Sequence, residues 1–252
     1  MPLTVYQRLH MVHRCWRLRF KSEAPEIRYV LQANLDAGTA LDIGASHGVY
    51  SIYLSRAVGP SGRVVAFEAQ PDLGGHLAGV KQSFRLDNLT IVSSGLSSQE
   101  GTLLMRRNAP GSPAASFHNW ADEGHEEISI PVLKLDDYDA AHNIGPVRFI
   151  KCDVEGHEFD VFAGGSQLLA RDKPTLLFKS HEFQVRKGDL FHLLTELGYD
   201  GYFFYVSRAD HNSVLKKSHG QLVPCDQEAA YPYIHPDVRH RYYVFVPAGQ
   251  QP

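Results

Sequence analysis

Cysteine is scarce. Three stand in 252 residues, Cys15, Cys152 and Cys225, odd in number and far apart. That excludes a disulfide framework and a zinc site of paired cysteines, and it fits reduced thiols in a cytoplasmic protein. No run of about 18 apolar residues occurs, so no segment is expected to span a membrane. The first residues carry neither an apolar core nor a small-residue cleavage site, so no secretory signal is expected. An excess of one charge is missing too: a net charge of −3 gives no drive toward nucleic acid. Internal repeats and low-complexity tracts are absent. The scattered histidines His118, His125, His211, His219, His235 and His240 show no tight metal-ligand spacing. What remains is ordinary: 43% hydrophobic and 21% charged residues, enough to bury a core.

One stretch organises the rest: Ala40-Leu41-Asp42-Ile43-Gly44-Ala45-Ser46-His47-Gly48-Val49-Tyr50-Ser51. An apolar run carrying an acid turns through two glycines and resumes as a helix expected over 50–56. A strand, a glycine turn and a helix N-terminus make a socket for an anionic or polar ligand. Backbone N–H groups point outward there, and glycine admits close approach to the main chain.

Around this stretch, strands and helices alternate. The spacing of apolar residues predicts a helix over 6–21, in which Leu9, Val12, Trp16 and Phe20 share a face and Arg8, Arg14, Arg17, Arg19 and Lys21 lie mostly off it. A membrane-surface or nucleic-acid role is one reading of such a basic helix. A lid or packing helix with a solvated basic face is the preferred one. Pro25 opens a second helix toward 35. Strands are expected over 63–68 and 89–93, with a helix over 71–85 between them. A hairpin piece over 102–106 and a loop over 108–127 precede a strand over 128–135. Further strands over 147–152, 174–180, 202–206 and 242–246 alternate with helices over 158–170 and 188–197. The stretch between the last two strands is read as a loop. Alternating β-α-β units point to an α/β fold with a parallel sheet and helices on both faces.

In such sheets, ligands bind outside the carboxyl ends of the strands. Those ends carry Asp42 and the Gly44–Gly48 turn, then Glu68, Ser94-Gly95, then Asp153, Glu155 and His157, and lastly His181-Glu182. Polar groups gathered on one rim are costly to bury unless each has a partner, which suggests a site. Glu68 stands about 20 residues past the turn, where an acid holds a nucleoside ribose. A dinucleotide fingerprint starting at Gly44 would need glycines where Ser46 and Val49 stand, so that pattern fails twice. The more open turn suits S-adenosylmethionine, which carries an amino-acid tail and no pyrophosphate. The plainer alternative is that Gly44 and Gly48 only make a tight turn.

Three segments carry a resemblance. Leu41-Asp42-Ile43-Gly44-Ala45 with Gly48 and Tyr50-Ser51 is the first. Phe67-Glu68-Ala69-Gln70-Pro71 is the second. Phe149-Ile150-Lys151-Cys152-Asp153-Val154-Glu155-Gly156-His157-Glu158 is the third and most specific. Together they resemble the FkbM-type methyltransferases, over about residues 40–182. The resemblance implies a Rossmann-like, doubly wound, mostly parallel seven-stranded sheet with the last strand antiparallel. It also implies O-methylation of a hydroxyl on a sugar or related metabolite. By position, Asp42, Gly44, Ala45 and Gly48 would line the methionine part of the donor. Glu68, with Ala69 beside it, would hold the ribose, and Ser94 and Gly95 would lie near the adenine. Ser46 and His47 stand where members more often show Asn and a small or apolar residue, and Ser46 keeps one hydrogen bond for the donor. Phe178-Lys179 stands where an acid is common.

A general base for the hydroxyl would come from Asp153, His181, Glu182 or Lys151. His181 has the ordinary pKa for it, and Asp153 the position. Lys151 is expected to ion-pair with one of the acids. A divalent cation held by Asp153 with Glu155 or Glu182 is a further alternative. The structural alternatives are Asp153 as a helix cap, Glu155 and Glu158 as helix-dipole acids, and His157 as a solvated or capping residue. The aromatics Tyr199, Tyr202, Phe203, Phe204 and Tyr205 read as strand core. The expected organisation is a single methyltransferase domain over 1–252. It has a helical extension over 1–37, a cofactor-binding core over 38–207, and a loop with the closing antiparallel strand over 208–252. The expected partner is a small acceptor with a free hydroxyl, with no nucleic acid and no membrane span, and a homodimer is an open alternative. Rival readings are a nicotinamide-dependent oxidoreductase and a degenerate methyltransferase fold serving as a binding module.

Overall fold

Apolar runs without alternation fold as strands covered on both faces. Thr39–Ile43 is buried at every position, and Arg63–Phe67 at all but its first. The computed structural model describes residues 1–118, 126–180, 188–205, 221–224 and 242–252. In chain order, α1 (Val5–Arg17) runs through a π-helical turn (Leu18–Ser22) into α2 (Ala24–Gln32). Then β1 (Thr39–Ile43), α3 (Val49–Ala57), β2 (Arg63–Phe67), α4 (Pro71–Phe84) and β3 (Leu89–Val92) alternate. β4 (Gly95–Leu96), β5 (Gly101–Arg107) and β6 (Glu126–Leu133) make a separate sheet ordered β4-β6-β5. α5 (Leu135–His142), β7 (Val147–Cys152), α6 (Glu158–Ala163), α7 (Ser166–Asp172) and β8 (Thr175–Lys179) follow. The last elements are α8 (Asp189–Glu196), β9 (Tyr199–Tyr205), β10 (Gln221–Pro224) and β11 (Tyr242–Pro247).

The main sheet is ordered β10-β9-β11-β8-β7-β1-β2-β3. β3, β2, β1, β7 and β8 run parallel, and β11 lies antiparallel between β8 and β9. This is the expected mostly parallel seven-stranded sheet with an antiparallel last strand. An eighth strand, β10, pairs antiparallel with β9 at the edge, inside a stretch read from sequence as loop. Strand order reverses at β1, which has β2 on one side and β7 on the other. That reversal opens the crevice where sheets of this kind place ligands.

Apolar layers cover both faces. Leu41, Ile43, Phe67, Ile150 and Phe178 pack with α6 and α8 on one face. Ala40, Val64, Phe149, Leu177 and Val244 pack with α2, α3 and α4 on the other. Into the second layer the chain places a charge. Asp42 is fully buried and accepts from Ser51 Oγ at 2.6 Å. Its register partner on β7 is Lys151, whose Nζ lies 3.4 Å from Asp42 Oδ1 and donates to the Gly44 carbonyl at 2.8 Å. Burial works against the Lys151 charge, but Asp42 and Asp153 outweigh it and hold its pKa above the usual lysine value.

Three local expectations are corrected. The helix expected over 158–170 is two helices, broken at Gly164–Gly165, because a Cβ on Gly164 would sit 2.1 Å from the Ser97 carbonyl oxygen. α6 starts with His157 at its N-cap position, so Asp153 does not cap it. The apolar face of α1 does not pack: Leu9, Val12, Trp16 and Phe20 are exposed, and Met11 on the other side is buried.

Removing one partner of the Lys151–Asp42 pair strands a buried charge. Lys151→Met is expected to lower unfolding free energy by about 3–5 kcal/mol in urea titrations. Adding Asp42→Asn should recover part of that loss. Independent, additive losses would show that the pair is not coupled.

Candidate active site

The turn after β1 is built from the backbone outward. Gly44 has φ +72°, and a Cβ there would lie 2.0 Å from the Asp153 carbonyl oxygen. Only glycine satisfies both constraints. The N–H groups of Gly44 and Ala45 each donate to the Phe67 carbonyl at 3.0 Å, and Asp153 N–H donates to the Ile43 carbonyl at 3.0 Å. The ends of β1, β2 and β7 are thereby tied at one point.

Glu68 completes the turn. Its Oε2 accepts from Ser46 N–H at 2.6 Å and its Oε1 from Gln70 N–H at 2.8 Å. Burial pushes its carboxyl above the usual range, and the two backbone donors oppose that shift. Each oxygen keeps a second lone pair for a ligand.

Two cavities meet at this turn. The smaller, about 60 Å³, lies between Phe67, Leu96 and Phe117 and is edged by Glu68, Ala69, Gln70, Ser94 and Gly95. The Ser94 hydroxyl is already engaged with the Pro131 carbonyl at 2.8 Å. The larger, about 650 Å³, is lined by Gly44, Ala45, Ser46, His47 and Tyr50 on the turn side. Lys151, Asp153, Glu155, Lys179 and Tyr242 form its floor, and Arg14, Arg17, Leu18, Glu23 and Glu26 its N-terminal wall. Gly44, Ser46, Asp153 and Glu155 border both cavities. Asp42 and Gly48 border neither. Asp42 lies beneath Lys151, and Gly48, at φ +83°, backs onto Leu77. His181 and Glu182 lie outside the described residues.

Asp153 is held from two sides. Tyr242 OH donates to its Oδ2 at 3.2 Å, and Lys179 Nζ sits 3.2 Å from its Oδ1 while also pairing with Glu155. Burial opposes the Lys179 charge, but these two carboxylates raise its pKa. Of the three acids considered for a divalent cation, Asp153 and Glu155 thus close on an ammonium, and Glu182 lies outside the described residues. Among the described residues no group of three or more His, Cys, Asp or Glu is gathered to hold a metal. The described residues do not support the cation alternative.

His157, read as a solvated or capping residue, stands at the N-cap position of α6 but is buried, and Glu158, read as a helix-dipole acid, lies in the first turn and is buried too. His157 Nε2 lies 3.0 Å from Ser97 Oγ, and Glu158 Oε1 accepts from Val154 N–H at 3.0 Å, shaping the loop after β7. The sequence reading also missed Glu23 and Glu26. Their only signal was a pair of acids flanking Pro25, which reads as a helix start. Tyr50 OH donates to Glu23 at 2.7 Å. Glu26 is 8% exposed, its carboxyl is pushed up to about 8 by burial, and its Oε2 has no hydrogen-bond partner among the described residues. Gln70 Oε1, beside the small cavity, is orphaned in the same way. Burial, then the Arg14 charge, lowers His47 to about 4, so its ring is neutral where it meets Ser46 Oγ at 3.1 Å.

At about 60 Å³ the small cavity admits only the edge of a ligand, and its chemistry suits the ribose end of a nucleoside. It has flat apolar walls, a carboxylate for vicinal hydroxyls and an orphaned amide oxygen for an N–H donor. The larger cavity offers a charged, polar floor to an amino-acid tail and to a second, polar molecule.

Comparison with known proteins agrees with this geometry. Residues 42–201 match the model of the methyltransferase FkbM domain. A relative, the hexuronic acid methyltransferase AglP of Haloferax volcanii, is 28% identical over 161 residues, 63% of this chain and 63% of its own length. Among solved structures, the fold matches an O-methyltransferase from Bacillus cereus in complex with SAH. That match has a TM-score of 0.51 and 13% identity, and covers 96% of this chain and 90% of the other. A methyltransferase FkbM from Methylobacillus flagellatus is 16% identical with a TM-score of 0.48, covering 85% of this chain and 45% of that one. The match thus spans less than two thirds of the length of the haloarchaeal relative and of the Methylobacillus protein.

The orphaned Glu26 makes a pH prediction. Unfolded, it ionises near the ordinary glutamate value. Folded, it stays protonated up to about 8. Its contribution is therefore most favourable below the unfolded pKa and is lost as pH rises through the folded one. Glu26→Gln should leave stability unchanged at pH 4 and raise it at pH 8, on the order of 1–4 kcal/mol. Equal melting shifts at both pH values would show that the carboxyl is not buried.

Proposed function

The chain belongs to the FkbM methyltransferase family, and from that premise we propose that it is an S-adenosylmethionine-dependent O-methyltransferase acting on a hydroxyl of a sugar or sugar-bearing small metabolite. The observation that carries this reading is the single turn at Gly44, shared by a small slot edged by Glu68 and a larger charged cavity, with Asp153 bordering both. The hexuronic acid in the haloarchaeal relative's name supports a sugar acceptor. Arg14 and Arg17 on the cavity wall suit an acidic one.

When bound, S-adenosylmethionine would supply an electrophilic methyl on a sulfonium. The chain's part is to hold and align. Glu68 takes the ribose hydroxyls with the lone pairs left free by Ser46 and Gln70. The turn backbone from Gly44 to Ser46 and the Tyr50 ring line the amino-acid end. Asp153 would accept the hydrogen bond of the acceptor hydroxyl and take up its proton at a carboxylate oxygen. Lys179 and Tyr242 fix the Asp153 carboxylate in place, so the acceptor meets it in one orientation. Alignment of this kind contributes up to about 7–11 kcal/mol, and a positioned base about 10²–10⁴-fold. Glu23 and Glu26 on the opposite wall offer hydrogen bonds to the remaining acceptor hydroxyls.

Two substitutions separate donor from acceptor chemistry. Glu68→Ala should weaken uptake of labelled donor about tenfold or more in equilibrium dialysis with the fold retained, and unchanged uptake would remove Glu68 from the ribose. Asp153→Asn should lower turnover about 10²-fold or more while donor affinity stays near wild type. Wild-type turnover would make Asp153 structural.

A further inference from the structure

Helix α1 turns its apolar stripe outward. Val5, Leu9, Val12, Trp16 and Phe20 recur at steps of three and four residues and so share one face. They are 78%, 64%, 50%, 45% and 53% exposed, and Tyr6 beside them is 78% exposed. The inner side of the segment does the packing: Met11 is buried, Cys15 and Leu18 lie against the core, and Tyr53 OH donates to the Cys15 carbonyl at 3.0 Å. A contiguous apolar stripe of this size on a folded surface marks a contact.

The charge on the same segment says what the contact is. Residues 5–22 carry Arg8, Arg14, Arg17, Arg19 and Lys21 and no Asp or Glu. The whole chain is net negative, so this positive charge is local. Lys21 Nζ lies 4.9 Å from the Trp16 ring centre, and the Arg19 guanidinium 5.2 Å from that of Phe20, so cations and exposed rings stand together. A second copy seated on this stripe would bring segments of like charge together, with no acid on either to answer it. An anionic lipid surface answers both features: acyl boundary for Leu, Val and Phe, headgroup level for Trp and Tyr, and negative charge for Arg and Lys.

We propose that the outward face of α1 binds an anionic lipid surface, with the helix lying in the plane of the interface. No helix among the described residues is long and apolar enough to cross a membrane, so the contact is peripheral. Arg14 and Leu18 of the same segment wall the large cavity, so docking sets that cavity beside the headgroups. The lipid contact does not depend on the transfer reaction.

The test is co-sedimentation of the full chain, at low salt, with vesicles of phosphatidylcholine alone and of phosphatidylcholine mixed with phosphatidylglycerol. Binding to the mixed vesicles, weakened by salt and nearly absent with the neutral ones, is expected. Leu9→Glu with Phe20→Glu should cut partitioning at least about tenfold while melting temperature and donor uptake stay at wild type, because both residues are exposed. Arg19→Gln should weaken it by a smaller factor. Brominated lipid chains should quench Trp16 fluorescence in a Trp120→Phe background. Three results would overturn the proposal: no binding to the mixed vesicles, binding indifferent to lipid charge and to the double substitution, or a dimer in sedimentation equilibrium that the double substitution splits.

Discussion

At the crevice, Gly44 approaches the Asp153 carbonyl so closely that no side chain fits between them. This contact sets the distance between the ends of β1 and β7, the two strands at the reversal of strand order. Lys151 reinforces it from below by donating to the Gly44 carbonyl. Because the two ends are fixed, the small slot beside Glu68 and Asp153 on the floor of the larger cavity hold one relative position. Alignment of two reacting molecules needs little else from a protein whose donor would arrive already activated.

Charge is handled by pairing. Asp42 with Lys151, and Asp153 and Glu155 with Lys179, are acid–ammonium contacts at or beneath the cavity floor. The family resemblance places an acid near Lys179, and here an ammonium takes its place and neutralises two carboxylates. Glu26 Oε2 and Gln70 Oε1 are buried without a hydrogen-bond partner among the described residues, and their residues border the two cavities. A buried polar group without a partner is costly, so these atoms mark places where a bound ligand would restore a hydrogen bond.

Much of this was legible in the sequence. The alternation of strands and helices around β1, β2 and β7 pointed to a parallel sheet, and the glycine turn with Glu68 one strand over pointed to the slot. Glycines and strand-end acids are local signals. What failed to read was tertiary. Periodicity shows that α1 has an apolar face but not whether the protein covers it. An acid in a first helical turn looks the same whether it only answers the helix dipole, as read for Glu158, or also folds back to bond the preceding loop, as Glu158 does. Glu23 and Glu26 belong to no motif, and only the packing of the N-terminal segment brings them to the cavity wall. β10, with four residues, is too short to carry a pattern. The periodicity over 158–170 did not show the break at Gly164–Gly165, where the Ser97 carbonyl occupies the space a side chain would need.

The account stands on the turn at Gly44 and the Glu68 carboxylate gripping an adenosine-bearing methyl donor. Calorimetric titration of the folded chain with S-adenosylhomocysteine, the demethylated donor, tests this most directly. Saturable uptake at a single site, with a matching rise in melting temperature, is the predicted result. Well-folded protein that takes up none of it would contradict the account.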